Sequence, residues 1–275
     1  MKYGIAMFPT DQTLPPGELA RLVEDAGFES VFFPEHSHIP AARRSHFAAD
    51  GAELPSHYWH TYDLFVALTA AAGATSRLRL GSGLCLLPQR DPIWTAKAVA
   101  SVDRLSGGRR LFGIGAGWNR EEMESHGYDF RTRFSRMGHH VQAMKALWNE
   151  DEASYSGREV TFERAWAWPK PIQRPSPPLL IGGAGPKAID RIVEYGDGWL
   201  AEPAVGLESR IDELMARAEG AGREGEVTVT IYGAEVDDLV RWERPGVERC
   251  VFWVQPGEPA AVRAAVRGIA QRLEL

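Results

Sequence analysis

The chain has 275 residues, 44% hydrophobic and 25% charged, with a net charge of −6. That balance excludes a disordered chain and supplies enough apolar material for a large core. Charges of both signs are mixed along the chain, which excludes a phosphate-gripping nucleic-acid binder and a polybasic membrane patch, and no apolar stretch approaches the roughly 20 residues of a membrane span.

The first residues, MKYGIAMFPTDQ, run straight into a strand-like segment without a leader's hydrophobic region or cleavage site, so a cytoplasmic protein is expected. YGIAMF (3–8) reads as a strand. PGELARLVEDAGF follows with apolar residues at Leu19, Leu22, Val23 and Ala26, a helical spacing closed by Gly27. SVFF (30–33) is the second strand. YDLFVALTAAAGAT reads as a helix, LRLGSGLCLL (78–87) as a strand broken by glycines, and PIWTAKAVASVDRLSGG as a helix with a glycine stop. RRLFGIGAG (109–117) is a strand ending in a glycine-rich turn, and FSRMGHHVQAMKALWNE is a helix. The rhythm continues with PLLIGG (178–183), the helix PKAIDRIVEYG, DGWLAE (197–202), the helix SRIDELMARAEGAG, the strand EVTVTIYG, the strand ERCVFWV (248–254) and the closing helix EPAAVRAAVRGIAQRL.

Eight strand–helix units with continuous apolar strands predict an α/β protein, a (β/α)8 TIM barrel forming one domain over 1–275. A doubly wound open sheet is the alternative. Two segments break the rhythm, residues 37–60 after the second strand and 151–177 before the fifth; loops of this length in compact proteins are usually functional or carry extra hairpins. EASYSGREVTFE predicts a small hairpin around Ser156 and Gly157. Cys85 and Cys250 sit in apolar runs and read as buried small hydrophobes.

In a barrel the carboxyl ends of the strands carry the chemistry. The second delivers Glu35 and His36. As a structural residue His36 would cap its loop; as a chemical one it offers a proton donor or acceptor near neutral pH. Glu35 could orient that imidazole, bind a cofactor edge or pair with an arginine. The third end has Gly81, Ser82 and Gly83, the fourth Gly113, Gly115 and Gly117 with Trp118 and Asn119, and the sixth Trp199 with Glu202 beyond. Such glycine clusters suggest a large ligand lying close to the backbone. At the fifth end, IGGAGPKAID combines exposed amides with Pro186 suited to a first helical turn. It reads as a phosphate seat or as an ordinary tight turn.

GIGAGWN lacks the third glycine of a dinucleotide fingerprint, having Arg120 there. His36 and His38 echo a metal-binding pair, but none of the eight histidines follows His140, so later strands cannot complete the set and no metal is expected. His139 and His140 read as helix-packing residues, and Arg109 and Arg110 as solvated charge. Tyr58, Trp59 and Tyr62 could wall a substrate pocket or pack the insertion onto the barrel.

Taken together, SVFFPEHSHIP, LRLGSGLCLLPQRDPIWTAKAVASVDRLSGGR, FGIGAGWNREEMESHG, PKPIQRPSPPLLIGGAGP and GDGW resemble the luciferase-like monooxygenase superfamily, over nearly the whole chain. More narrowly, they resemble its coenzyme F420-dependent oxidoreductases. The resemblance implies a flavin or deazaflavin ring across the barrel mouth, with its phosphate at Gly182, Gly183, Ala184 and Gly185. A non-proline cis peptide backing the ring maps to Gly83-Leu84, beside Ser82. Gly115, Ala116, Gly117, Trp118 and Asn119 match the fourth-strand cofactor loop, and Glu35 with His36 the acid–histidine pair that ends the second strand in many F420-dependent members. The implied activity is hydride transfer between the deazaflavin and a small organic substrate, with His36 and Glu35 catalytic and Trp59 and Tyr62 near the substrate. FMN is the alternative cofactor, in an oxygen-using monooxygenase, and a non-catalytic flavin-binding barrel is a second alternative. A homodimer and a separate reductase supplying reduced cofactor are also implied.

Overall fold

The computed structural model describes residues 1–47 and 52–275. In chain order it begins with β1 (Lys2–Ala6), α1 (Pro16–Asp25), β2 (Ser30–Phe33), α2 (Leu64–Ala74), β3 (Arg79–Ser82) and β4 (Cys85–Leu86). Then come α3 (Pro92–Leu105), β5 (Arg110–Gly115), α4 (Arg120–Ser125), α5 (Arg133–Asn149), β6 (Ala153–Ser156) and β7 (Thr161–Ala165). The chain ends with β8 (Leu179–Gly182), α6 (Ala188–Tyr195), β9 (Gly198–Ala201), α7 (Leu207–Gly220), β10 (Thr228–Tyr232), α8 (Leu239–Trp242), β11 (Val247–Trp253) and α9 (Pro259–Arg272).

Strands run parallel in the order β3-β2-β1-β11-β10-β9-β8-β5, and β3 also pairs with β5, which closes the sheet. β4 continues the third barrel strand beyond the Gly83-Leu84 bond, which is cis, and pairs with β5 through Cys85 and Ile114. The (β/α)8 expectation therefore holds. An open doubly wound sheet would leave two free edges, and here the edges meet. Helix ends follow local chemistry. Gly27, at φ +91, ends α1, and the Phe28 amide bonds back to Val23. Asp63 caps α2 by accepting from the Phe65 and Val66 amides, and Asp91 caps α3 by accepting from that of Trp94.

Two apolar layers hold the barrel. Between sheet and helices lie Ile5, Val31, Leu80, Phe112, Ile181, Trp199 and their neighbours. Inside the barrel are Ala6, Phe32, Leu111, Leu180, Leu200, Tyr232 and Val251, with Leu84 packed against them. Glycines make room for these large groups. A Cβ on Gly81 would enter the Phe32 ring, and one on Gly113 would strike the Ser82 carbonyl and the Leu200 side chain. Both cysteines are buried and free, as expected.

Arg110 corrects the reading of solvated charge. It is fully buried in the barrel wall, where its guanidinium donates to the Leu80 and Leu111 carbonyls and, at 2.8 Å, to Ser82 Oγ. Burial drags its pKa down to about 10. Arg109, half-buried, donates to the Ala72, Thr75 and Leu78 carbonyls at the end of α2. The two guanidiniums thus supply donors to carbonyls of the barrel wall and of the α2 C-terminus.

The expected hairpin is present as antiparallel β6 and β7, pairing Ser156 with Thr161 and Tyr155 with Phe162. The return to the barrel is fixed by buried Asp103, which accepts from the Ile172 and Gln173 amides at 2.6 and 3.0 Å. Among its described residues the 37–60 insertion contains one 3-10 turn, Ser56–Tyr58, and a bridge pairs Thr10 with Thr61. Its residues 48–51 lie outside the described residues.

Two alanine substitutions should move stability in opposite directions. Gly113→Ala places a methyl against backbone and should cost about 2 kcal/mol or more. Gly73→Ala, inside α2 with nothing within 4 Å of the new methyl, should gain about 0.5–1 kcal/mol. Urea unfolding of both variants checks the pair.

Candidate active site

β2 is buried along its whole length and ends at Phe33; Glu35 and His36 follow Pro34 at the barrel's carboxyl-end mouth and are buried themselves. The next strand end supplies their partners in consecutive positions. Gln89 reaches Glu122, Arg90 reaches Glu35, and Asp91 starts α3. Arg90 Nε donates to Glu35 Oε1 at 2.7 Å, and its other arm donates to Asp63 at 3.1 Å. Of the three roles the sequence left open for Glu35, pairing with an arginine is the one present. Burial pushes the Glu35 carboxyl above the usual range, against the pull of Arg90. Glu35 Oε2 is buried without a hydrogen-bond partner.

His36 is held by a residue outside the sequence reading, Glu122 on α4. His36 Nδ1 lies 2.6 Å from Glu122 Oε2. The other Glu122 oxygen accepts from the Ser37 amide at 2.9 Å, Gln89 Nε2 at 2.8 Å and Ser37 Oγ at 3.2 Å. Burial alone would raise the Glu122 carboxyl; the His36 contact and these donors bring it below its usual value. An ionised Glu122 accepts, so Nδ1 carries the proton and Nε2 is the ring's free nitrogen. The one sequence signal for Glu122 was Asn119-x-x-Glu122 at a helix start, which resembles a local capping box. Asn119 does cap α4 by accepting from the Glu122 amide, but the glutamate side chain turns away to histidine.

Aromatic rings wall this corner. The His36 ring lies 5.2 Å from Tyr58 and 5.8 Å, edge-on, from Trp118. Phe47 touches both Tyr58 and Trp118. Phe8, beyond β1, packs on His57 and Tyr58 at 4.7 and 4.6 Å. The insertion thus brings Tyr58 to His36. Trp59 and Tyr62 are placed elsewhere and stay exposed: the Trp59 ring pairs with His60, and the Tyr62 amide bonds the Pro9 carbonyl. Burial and Glu202 together push the Tyr58 hydroxyl up to about 12. Glu202 itself is open to solvent, but surrounding protein in the concave mouth displaces enough water to hold its carboxyl above the usual range.

The rim loops fit a planar, phosphorylated ligand in part through amides and in part through an apolar floor. At the end of β8, Gly183 (φ +106) and Gly185 face open space. Their carbonyls are already engaged: Trp199 Nε1 donates to Gly183, and Arg210 donates to Ala184 and Gly185. The Ala184 and Gly185 amides donate to no acceptor among the described residues, which suits an anion. Pro186 falls in a turn rather than in the first turn of the helix, which begins at Ala188.

Gly115 and Gly182 differ from the sequence reading. The Leu84 side chain fills the space where their Cβ atoms would lie, so these glycines admit the chain's own leucine. Leu84 becomes the top of the barrel's interior filling, and Tyr232 fixes its backbone by donating to the Gly83 carbonyl at 2.6 Å. Ser82 Oγ is spent in the wall, donating to the Gly113 carbonyl at 2.7 Å and accepting from Arg110. At the β5 end Ala116, Gly117 (φ +77) and Trp118 are half-buried, and the buried Asn119 side-chain NH2 has no partner.

The remaining histidines take other places. His38 is exposed and joins His126 around Ser37 Oγ. His140 is buried on α5 with Nδ1 3.2 Å from the Leu87 carbonyl, and burial lowers it to about 4. His139 lies 3.1 Å from the Tyr155 hydroxyl. No helix among the described residues is long and apolar enough to cross a membrane.

A family model described as luciferase-like monooxygenase matches residues 15–236. The uncharacterised protein Rv0953c of Mycobacterium tuberculosis is 37% identical over 99% of both chains. The F420-dependent glucose-6-phosphate dehydrogenase of Amycolatopsis mediterranei is 25% identical, over 86% of this chain and 68% of that one. Among solved structures, the monooxygenase RslO1 of Streptomyces bottropensis superposes with a TM-score of 0.78 at 20% identity, over 100% and 99% of the two chains. Proteins related to this chain use F420 or reduced flavin.

The Glu122 contacts carry a pH signature. A carboxyl held low by folding contributes stability above the ordinary carboxylate range, and that contribution fades as pH falls through the lowered value. Glu122→Gln should therefore destabilise by about 2 kcal/mol at neutral pH, with the gap to the parent closing in acid. Urea midpoints of both proteins across pH measure it; a gap independent of pH would contradict an ionised Glu122.

Proposed function

Since the chain belongs to the luciferase-like monooxygenase family, we propose that it is an F420-dependent oxidoreductase acting on a small organic substrate. The observation that carries this reading is the His36–Glu122 pair at the barrel mouth, with the free imidazole nitrogen among Tyr58 and Trp118. The glucose-6-phosphate dehydrogenase named for F420 also covers more of this chain than the FMNH2-dependent dimethylsulfone monooxygenase of Pseudomonas putida, 86% against 59%.

In this reading the free amides of Ala184 and Gly185 would hold the coenzyme phosphate, Leu84 would supply an apolar floor, and Asn119 would offer its unpartnered NH2. When bound, the deazaflavin supplies a hydride donor or acceptor. The chain does the rest. Tyr58, Trp118 and Phe8 exclude water and orient the substrate. His36 Nε2 would give a proton to, or take one from, the substrate at the reacting centre. Glu122 fixes the imidazole orientation through Nδ1. Glu35 supports the same corner through Arg90 rather than touching His36.

Titration of the purified protein with F420 and with FMN should show tight binding of F420 alone; tight binding of FMN alone would replace this reading with that of a flavin monooxygenase. His36→Ala should retain F420 binding and lose about 10²–10⁴ in turnover. Stopped-flow measurement of deazaflavin absorbance separates the two effects, and parental turnover in this variant would remove His36 from the mechanism.

A further inference from the structure

The alternation of side chains along the strands continues past their ends and decides what faces the mouth. Ala6, Leu200, Tyr232 and Val251 point into the barrel. Two residues beyond Ala6, Val251 and Leu200 come Phe8, Trp253 and Glu202, which therefore stand above the interior filling on the same side. Their strands, β1, β11 and β9, join through β10 as consecutive neighbours in the sheet. The rings form a continuous arc. Phe8 stacks on Trp253 at 5.9 Å, Trp253 meets Tyr232 edge-on at 5.1 Å, and Phe8 packs on Tyr58 at 4.6 Å. Trp253 is 37% exposed, so part of its ring is open to a ligand. Pro203, next to Glu202, and the Trp253 ring both flank Gly233.

At the β9 end of this arc is a carboxylate that the fold leaves unanswered. Other acids of the mouth have partners: Asp11 lies 2.9 Å from His60, Glu35 2.7 Å from Arg90 and Glu122 2.6 Å from His36. Among the described residues the Glu202 side chain makes no hydrogen bond and no ion pair. Arg241 reaches the Ala204 carbonyl at 3.3 Å, two residues on, but gives its Nε to Glu208. After burial, the Glu202 charge is the next cause that raises the Tyr58 and Tyr232 hydroxyls, so the carboxylate stands within electrostatic reach of both. His57, which also packs on Phe8, is held below its usual value by burial and brings no competing charge near neutral pH. The proton transfer assigned to His36 makes no use of Glu202. A carboxylate in a concave apolar mouth, beside an accessible indole, is the chemistry that recognises an organic cation.

We propose that the substrate of this site is a small organic cation whose ammonium group is seated by the Glu202 carboxylate and the Trp253 ring, with its reacting end toward His36. The proposal rests on the oxidoreductase reading above and names the substrate class for that mouth. Glu202 is here a specificity determinant: it holds the charged end of the molecule, and the arc of Phe8 and Tyr58 spans the space from that end to the imidazole. A neutral substrate of the same shape would leave the carboxylate without a partner, and would forgo the attraction of the ring face.

The test is calorimetric titration with pairs matched in shape and different in charge: choline against 3,3-dimethylbutan-1-ol, and 2-phenylethylammonium against 2-phenylethanol. In at least one pair the parent protein should bind the cation about tenfold more tightly than its neutral counterpart. Glu202→Gln should bring the two members within about twofold of each other, and Trp253→Leu should reduce the cation's advantage severalfold. Equal affinities in the parent, no saturable binding of either cation, or a preference that survives Glu202→Gln would each overturn the seat. Glu202 is exposed, so its substitution spares the core; should a variant lose both members of a pair, the comparison within the parent decides. The titrations are run without coenzyme and repeated with F420 and with FMN. Cation preference in a protein that binds FMN alone would support the seat and replace the coenzyme reading, whereas equal affinities beside tight F420 binding would overturn the seat and leave that reading standing.

Discussion

The mouth of this barrel is organised around one buried carboxylate. Glu122 takes a histidine nitrogen, a backbone amide, a hydroxyl and a side-chain amide, from residues 36, 37 and 89. Those donors come from two strand ends, and Glu122 itself arrives on the helix after a third. A desolvated carboxylate is costly unless its oxygens are well supplied, so the three segments must converge for any to be stable. His36 orientation is a by-product of that requirement. Arg90, adjoining Gln89, ties Glu35 and the α2 cap Asp63 into the same corner. The corner is therefore braced around the His36 ring, while the insertion that contributes Tyr58 lies over it from outside.

The barrel interior sets how deep a ligand can sit. Phe32, Leu111, Leu180, Leu200 and Tyr232 fill the space between the strands, and Leu84 closes the top. Glycines in the wall permit this filling. Gly81 yields to Phe32, Gly113 to Leu200, and Gly115 with Gly182 to Leu84. What is left above Leu84 is a surface rather than a shaft, as a flat ring system requires.

Much of this was legible in the chain. Continuous apolar strands bounded by helical periodicity gave eight units, and the ladder closes them. Glu35 and His36 stood out because titratable groups rarely end a buried run without cause. The resemblance pointed to Gly83-Leu84, and that bond is cis. Other features could not be read. Glu122 occupies the third position after a helix cap, where a glutamate ordinarily serves the helix itself; only the folded contact with His36 shows otherwise. Arg110 looked like one of a solvated pair because sequence does not show which carbonyls a wall leaves open. Glycine at strand ends is equally consistent with a neighbouring ligand and a neighbouring leucine. Of Tyr58 and its neighbour Trp59, the 3-10 turn brings Tyr58 to His36 and leaves Trp59, at its end, exposed.

The grip of Trp199 and Arg210 on three successive carbonyls has a consequence for what the fifth strand end will refuse. With those oxygens drawn toward protein donors, the first two peptide planes present the Ala184 and Gly185 N–H edges outward, and the third ends in the hydrogen-free nitrogen of Pro186. A magnesium or calcium ion arriving at that corner would meet dipoles of the wrong sign, with the lone pairs it needs already committed. The turn is thus polarised as a one-way filter, dehydrated anions welcome and hard cations turned away, whichever molecule occupies the mouth.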